Sequence, residues 1–169
     1  MHVNELPRYD DTVNTTGCCP KFNPDGWDAQ ELHFRDQRVV RATTHSAMHV
    51  PIDIARVFTR VQRHINKVGA HQDGKFIVLS RDDTAFRSTH LFVVDRDIPD
   101  EEMGSLSGDF ITKVFEGPYS NAKEWHQVMQ QAVRDRGHEP GDVYFFYTTC
   151  PKCAEAYGHN YVVAVAEIR

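Results

Sequence analysis

Glu116 ends an apolar run at residues 110–116 (FITKVFE) and stands directly before the corner Gly117-Pro118-Tyr119. A carboxylate held at a strand end can aim a water molecule or take a proton from it. Around it the second half of the chain concentrates aromatic rings: Phe115, Tyr119, Trp125, Tyr144 to Tyr147, Tyr157 and Tyr161. A flat aromatic slot with one carboxylate suits two chemistries. One is general-base work by the carboxylate in an apolar setting; the other is capture of an organic cation by ring faces and negative charge. In the plainer reading Glu116 only pairs at a strand edge.

Alternation along a strand puts Phe145 and Tyr147 on one face and Tyr144 and Phe146 on the other. Tyr147 is our candidate catalytic hydroxyl, able to stabilise a developing oxyanion, with Tyr161 expected beside it across the sheet. Trp125 lies on the apolar stripe of the following helix, as core or as cage wall. Tyr119, Phe146 and Tyr161 join it as expected ligand contacts. Trp27, near Phe22 and Phe34, is a packing anchor or a lid over the pocket. His49 holds the place in the first half that Gly117 holds in the second, so it is a ligand-contact candidate; the simpler role is a structural hydrogen bond. His45 and His90 are weaker candidates, and Glu167 is a reserve carboxylate.

The four cysteines fall as Cys18-Cys19 and Cys150-Pro151-Lys152-Cys153. Three readings stay open: reduced, partly buried thiols, a redox dithiol, and a zinc site. Against zinc, the side chains of adjacent residues are expected to diverge, leaving Cys18-Cys19 a poor half-site. No metal or cofactor is therefore assigned.

The elements that must position these groups come from periodicity. Residues 1–37 lack a sustained pattern and read as an N-terminal arm, wrapped on the domain or partly loose. Residues 38–169 form the domain. A strand at 38–48, a corner at His49-Val50-Pro51 and a helix at 52–68 come first. The helix carries the stripe Ile54, Val57, Phe58, Val61, Ile65 and Val68, and Gly69 ends it. Strands follow at 75–81 and 89–95, then an acidic joint at 97–104. The second half repeats that order: a strand at 110–116, a helix to Gly137, a strand at 142–149, a loop holding the cysteine pair, and a strand at 161–168. Shifting the chain by 68 positions lays one helix stripe on the other and Gly69 on Gly137. The pseudo-repeats are 38–98 and 105–169, predicting an α+β fold: duplicated strand-helix-strand-strand units in one antiparallel sheet, both helices on one face.

Composition sets the class. The chain has 169 residues, 40% hydrophobic and 25% charged, with net charge −5. That charge argues against a nucleic-acid-coating protein, and no run reaches the length of a membrane span. A cytoplasmic monomer or homodimer is expected. Serine-hydrolase elbows, phosphate loops, dinucleotide fingerprints and His-Glu-x-x-His are not present in the sequence.

The stretch VFEGPY at 114–119 with the helix NAKEWHQVM at 121–129, in the second of two matched repeats, resembles the GyrI-like small-molecule-binding domain over residues 38–169. Within it, FYTTCPKCAEAYGHNYVV (146–163) and CCPKF (18–22) resemble the cyclopropanoid cyclopropyl hydrolases. The resemblance implies a hydrolase that opens the cyclopropane of DNA-alkylating natural products such as yatakemycin within an aromatic cage, and gives resistance. Its partner would be a hydrophobic polycyclic small molecule. The rival expectation is a binding module that sequesters aromatic or cationic drugs without turnover.

Overall fold

A computed structural model describes residues 2–70 and 77–169. The chain divides into two compact units, Arg35–Ser107 and the N-terminal residues to Phe34 with Gly108–Arg169. It is an α+β protein; the strand pairs described below run antiparallel, and Val3 forms an isolated parallel bridge with His33. No helix among the described residues is long and apolar enough to cross a membrane.

In the middle unit, strand β1 (Glu31–Ala47, within this unit from Arg35) pairs with β4 (Arg87–Val93), which also pairs with β3 (Val78–Thr84). A two-residue strand, β2 (Val50–Pro51), folds back on the end of β1. Helix α1 (Ile54–Val68) lays Val57, Val61 and Ile65 against Val40, Ala42, Val78, Phe92 and Val94. Gly69 closes α1 in the left-handed conformation (φ 64°), which a residue without Cβ adopts at little cost. Glu101 is almost fully buried and is held by Arg60 and by His64 Nδ1 at 2.8 Å, tying the acidic joint to α1. The expected strand start at 75–76 lies outside the described residues.

The same unit buries His90, with Thr44 Oγ1 2.7 Å from Nε2 and Ser80 Oγ 2.7 Å from Nδ1. A neutral imidazole satisfies both hydroxyls, one as donor and one as acceptor. Burial pushes its pKa down to about 4, against the upward pull of Asp82, Asp53 and Asp83.

In the terminal unit, β7 (Tyr161–Ile168) is the central strand, flanked by β5 (Met103–Glu116, within this unit from Gly108) and β6 (Pro140–Tyr147). Helix α2 (Ala122–Asp135) covers one face, setting Trp125, Met129 and Val133 over Ile111, Val143, Phe145, Val162, Ala164 and Ala166. These three helix positions lie 68 residues beyond the buried stripe of α1. The opposite face is covered by the N-terminal arm. Trp27, 1% exposed, packs on Phe146 at 5.6 Å between ring centres, and Phe22 joins both.

The elements depart from expectation in several places. β1 starts at Glu31, not 38, because Leu32 and Phe34 are buried while charged neighbours alternate with them. The arm also binds β5 through its backbone: Ala29 N–H donates to Thr112 O (3.1 Å) and Thr112 N–H to Gln30 O (2.9 Å). The cysteine-bearing loop holds a short helix, α3 (Pro151–Tyr157), with proline at its first position, where the missing N–H costs nothing.

Two stability outcomes follow. Trp27→Ala is expected to lower unfolding free energy by about 3–5 kcal/mol, read from urea denaturation. For His90 the folded state disfavours the proton that the unfolded chain accepts near pH 6.5. Its contribution is full above that pH and is lost as pH falls from about 6.5 through about 4. His90→Phe should flatten the pH dependence of the urea midpoint across that window.

Candidate functional site

β5 and β7 run antiparallel until their last rung, Glu116 opposite Tyr161. There the chain turns at Gly117, whose φ of 145° and lack of Cβ let it sit against Asn121 and Trp125; an added Cβ would meet Asn121 Nδ2 at 3.2 Å. Asn160 clamps the turn, its Nδ2 donating to Gly117 O (2.6 Å) while Gly117 N–H donates to Asn160 O (3.1 Å).

Beside this corner His159 Nδ1 lies 2.7 Å from Glu116 Oε1, and the imidazole stacks on Tyr161 at 5.2 Å and 13°. With the carboxylate accepting, His159 donates from Nδ1, which in the neutral ring leaves the lone pair on Nε2. Both side chains are about half exposed, Glu116 51% and His159 43%. Glu116 lines an open cavity of about 440 Å³, whose other walls are Pro24, Asp25, Gly26, Asp28, Val114, Phe115 and Tyr161. Its walls thus come from the arm and from the edge of β5. Tyr161 is raised above the usual phenol range, first by burial and then by the Glu116 charge.

On the α2 face the rings form a second group. Phe115 stacks on Trp125 (5.2 Å, 18°), Phe145 on Tyr147 (6.1 Å, 30°), and Tyr119 meets Tyr147 edge-on at 5.1 Å. The Tyr119 hydroxyl donates to Thr149 O, and burial pushes its pKa up to about 12. Tyr147 keeps 39% of its surface exposed and Trp125 keeps 5%.

Several expectations are corrected. Tyr147 pairs with Val162, one residue out of step with Tyr161, so the two tyrosines face opposite sides of the sheet. Trp27 and Phe146 are buried against each other as core and offer a ligand no surface. His49 lies in the other unit, exposed, 3.4 Å from Asp82. His45 is held by Asp53, and Glu167 accepts from Asp142 N–H and Arg169 at a strand end. Glu116, Tyr119, Trp125, Tyr147 and Tyr161 stay within the terminal unit, around one end of its sheet. His159 was missed as a partner of Glu116; a histidine two positions before the closing strand was the available signal.

The cysteines converge. Cys18 and Cys19 reach Cys150 and Cys153 so that all four sulfurs lie within 4.8 Å of one another. The expectation that the adjacent pair diverges is therefore wrong: Cys18 Sγ and Cys19 Sγ are 3.8 Å apart. The Thr16 hydroxyl, 3.4 Å away, holds the Cys153 thiol down at about 6, whereas burial pushes Cys19 up to about 12.

Fold and site together describe an α+β protein with a carboxylate–imidazole pair at an open cavity walled by two rings, Phe115 and Tyr161, and by the carboxylates Asp25, Asp28 and Glu116. The chain belongs to the bacterial hydrolase family, whose model matches residues 9–168. No curated protein matches it. Among solved structures it is similar to an uncharacterised conserved protein from Listeria innocua, with TM-score 0.59, 9% identity, and coverage of 85% of this chain and 93% of that one. It is also similar to SAV2435 bound to tetraphenylphosphonium, with TM-score 0.51, 11% identity, and coverage of 84% and 94%. Likeness at these identities speaks for the fold.

The clamp on the Gly117 corner has a measurable consequence. Asn160→Ala should cost about 1–2 kcal/mol in chemical denaturation and speed amide exchange at Gly117.

Proposed function

We propose that this protein is a cytoplasmic hydrolase that adds water to strained, planar electrophiles, with cyclopropane-bearing DNA alkylators of the yatakemycin type as the substrate class. The observation that carries the reading is the 2.7 Å Glu116–His159 pair, with Glu116 lining an open cavity that Phe115 and Tyr161 also wall, in a chain of the bacterial hydrolase family. The resemblance of residues 114–129 and 146–163 to cyclopropanoid cyclopropyl hydrolases within the GyrI-like fold supplies the substrate class. The strand-helix-strand-strand order of each unit supports pseudo-repeats at 38–98 and 105–169.

In this reading Glu116 holds the Nδ1 proton of His159, and Nε2 takes a proton from water. The hydroxide oxygen bonds to the cyclopropane carbon and the strained C–C bond breaks. Its electron pair moves into the conjugated dienone and leaves it as a phenolate, which a proton then neutralises. Phe115 and Tyr161 flank the flat substrate, and Tyr161 is the hydroxyl on the carboxylate's side of the sheet that a developing oxyanion could meet, whereas Tyr147 and Tyr119 lie on the α2 side. Trp125 backs Phe115.

A second reading is a drug-binding module without turnover. The similar protein SAV2435 is bound to tetraphenylphosphonium, a hydrophobic cation, and Glu116 beside ring faces suits such a ligand.

Incubation with yatakemycin, followed by product mass, separates the readings. Gain of one water at catalytic protein concentration is expected. Glu116→Gln and His159→Ala should each lower kcat by about 10²–10⁴-fold, and the double variant little further, because the pair acts as a unit. Stoichiometric binding with no added water would favour the binding module, and wild-type turnover by Glu116→Gln would remove the dyad.

A further inference from the structure

The four cysteine sulfurs meet at one point although they come from two segments far apart in the chain. Both segments contain Cys-Pro-Lys, at 19–21 and 150–152. Four zinc–sulfur bonds of about 2.3 Å define a tetrahedron with edges of about 3.8 Å. The Cys18–Cys19 separation equals that edge at 3.8 Å, and no sulfur is more than 4.8 Å from another. Contraction by at most about 1 Å would complete the tetrahedron.

The donor set selects the ion: four soft thiolates and no carboxylate or imidazole favour zinc over calcium, magnesium or manganese. A single disulfide would use only two of the sulfurs and would not explain the convergence of all four. The surroundings resemble an outer shell. Thr16 Oγ1 lies 3.4 Å from Cys153 Sγ, and the Tyr157 hydroxyl donates to the Cys19 carbonyl at 2.6 Å. Cys153 is buried and Cys18 exposed, so the cluster has an inner wall and an open side.

We propose that Cys18, Cys19, Cys150 and Cys153 bind one structural zinc ion that staples the N-terminal arm to helix α3. The staple would act on both sides of the candidate site. On one side it fixes the arm that supplies Pro24, Asp25, Gly26 and Asp28 as cavity wall. On the other it anchors α3, which leads through Gly158 to His159. This zinc takes no part in the water addition and does not depend on it.

The test is metal analysis of the full-length protein purified without chelator, followed by exchange with cobalt(II). One zinc per chain is expected, and the cobalt form should show thiolate-to-metal charge-transfer absorption with tetrahedral d–d bands. Chelation should lower Tm by roughly 10 °C. Cys18→Ser, at the exposed ligand, should still fold and lose zinc affinity at least 10-fold. Cys153→Ser should abolish the cobalt spectrum. Absence of metal with four freely titrating thiols, a mass lower by the hydrogens of a disulfide, or bound iron would each overturn the proposal.

Discussion

The terminal unit depends on one constraint: β7 is apolar on both faces. Val162, Ala164 and Ala166 face α2, while Val163 and Val165 are equally buried on the opposite parity. A central strand of this kind leaves water only if both faces of its sheet are covered. Helix α2 supplies one cover, and the small side chains of Ala164 and Ala166 let it approach. The arm supplies the other with Phe22 and Trp27, whose Nε1–H donates to Arg8 O at 3.0 Å. The arm thus supplies a structural layer of this unit, although its described residues up to 30 form no helix or strand of their own.

The candidate site follows from where that layered arrangement ends. The β5–β7 ladder stops at Glu116 and Tyr161, beyond which the two chains are joined by the Gly117–Asn160 clamp and then part. Polar side chains can therefore occupy the corner, and Glu116, His159 and Asn160 do so. Rings that belong to the core a residue or two earlier, Phe115 and Tyr161, reach the surface there. The proximity of the carboxylate–imidazole pair to aromatic walls is a consequence of strand length, and the arm's Pro24–Asp28 turn completes the cavity.

Much of this was legible in the residues, and the failures have physical causes. Both helices were readable because their stripes repeat at 3.6 residues and end at left-handed glycines, Gly69 and Gly137. The two faces of β6 were readable from alternation, which correctly separated Phe145 from Phe146. Register between strands is not written in alternation. Tyr147 pairs with Val162 rather than Tyr161, and that single step sends the two tyrosines to opposite faces. The opening of β1 was hidden because Arg35, Asp36 and Gln37 dilute Leu32 and Phe34. Convergence of the cysteines is a tertiary fact: nothing within residues 18–19 shows that residues 150 and 153 lie opposite.

The most direct measurement of the central claim, that the arm is the second cover of the terminal sheet, is native-state hydrogen exchange. The Ala29 and Thr112 amides, which join the arm to β5, should be protected to within about tenfold of the Val163 and Val165 amides in β7 and open in the same cooperative event. Exchange of Ala29 at the rate of an unstructured chain, with β7 still protected, would contradict it.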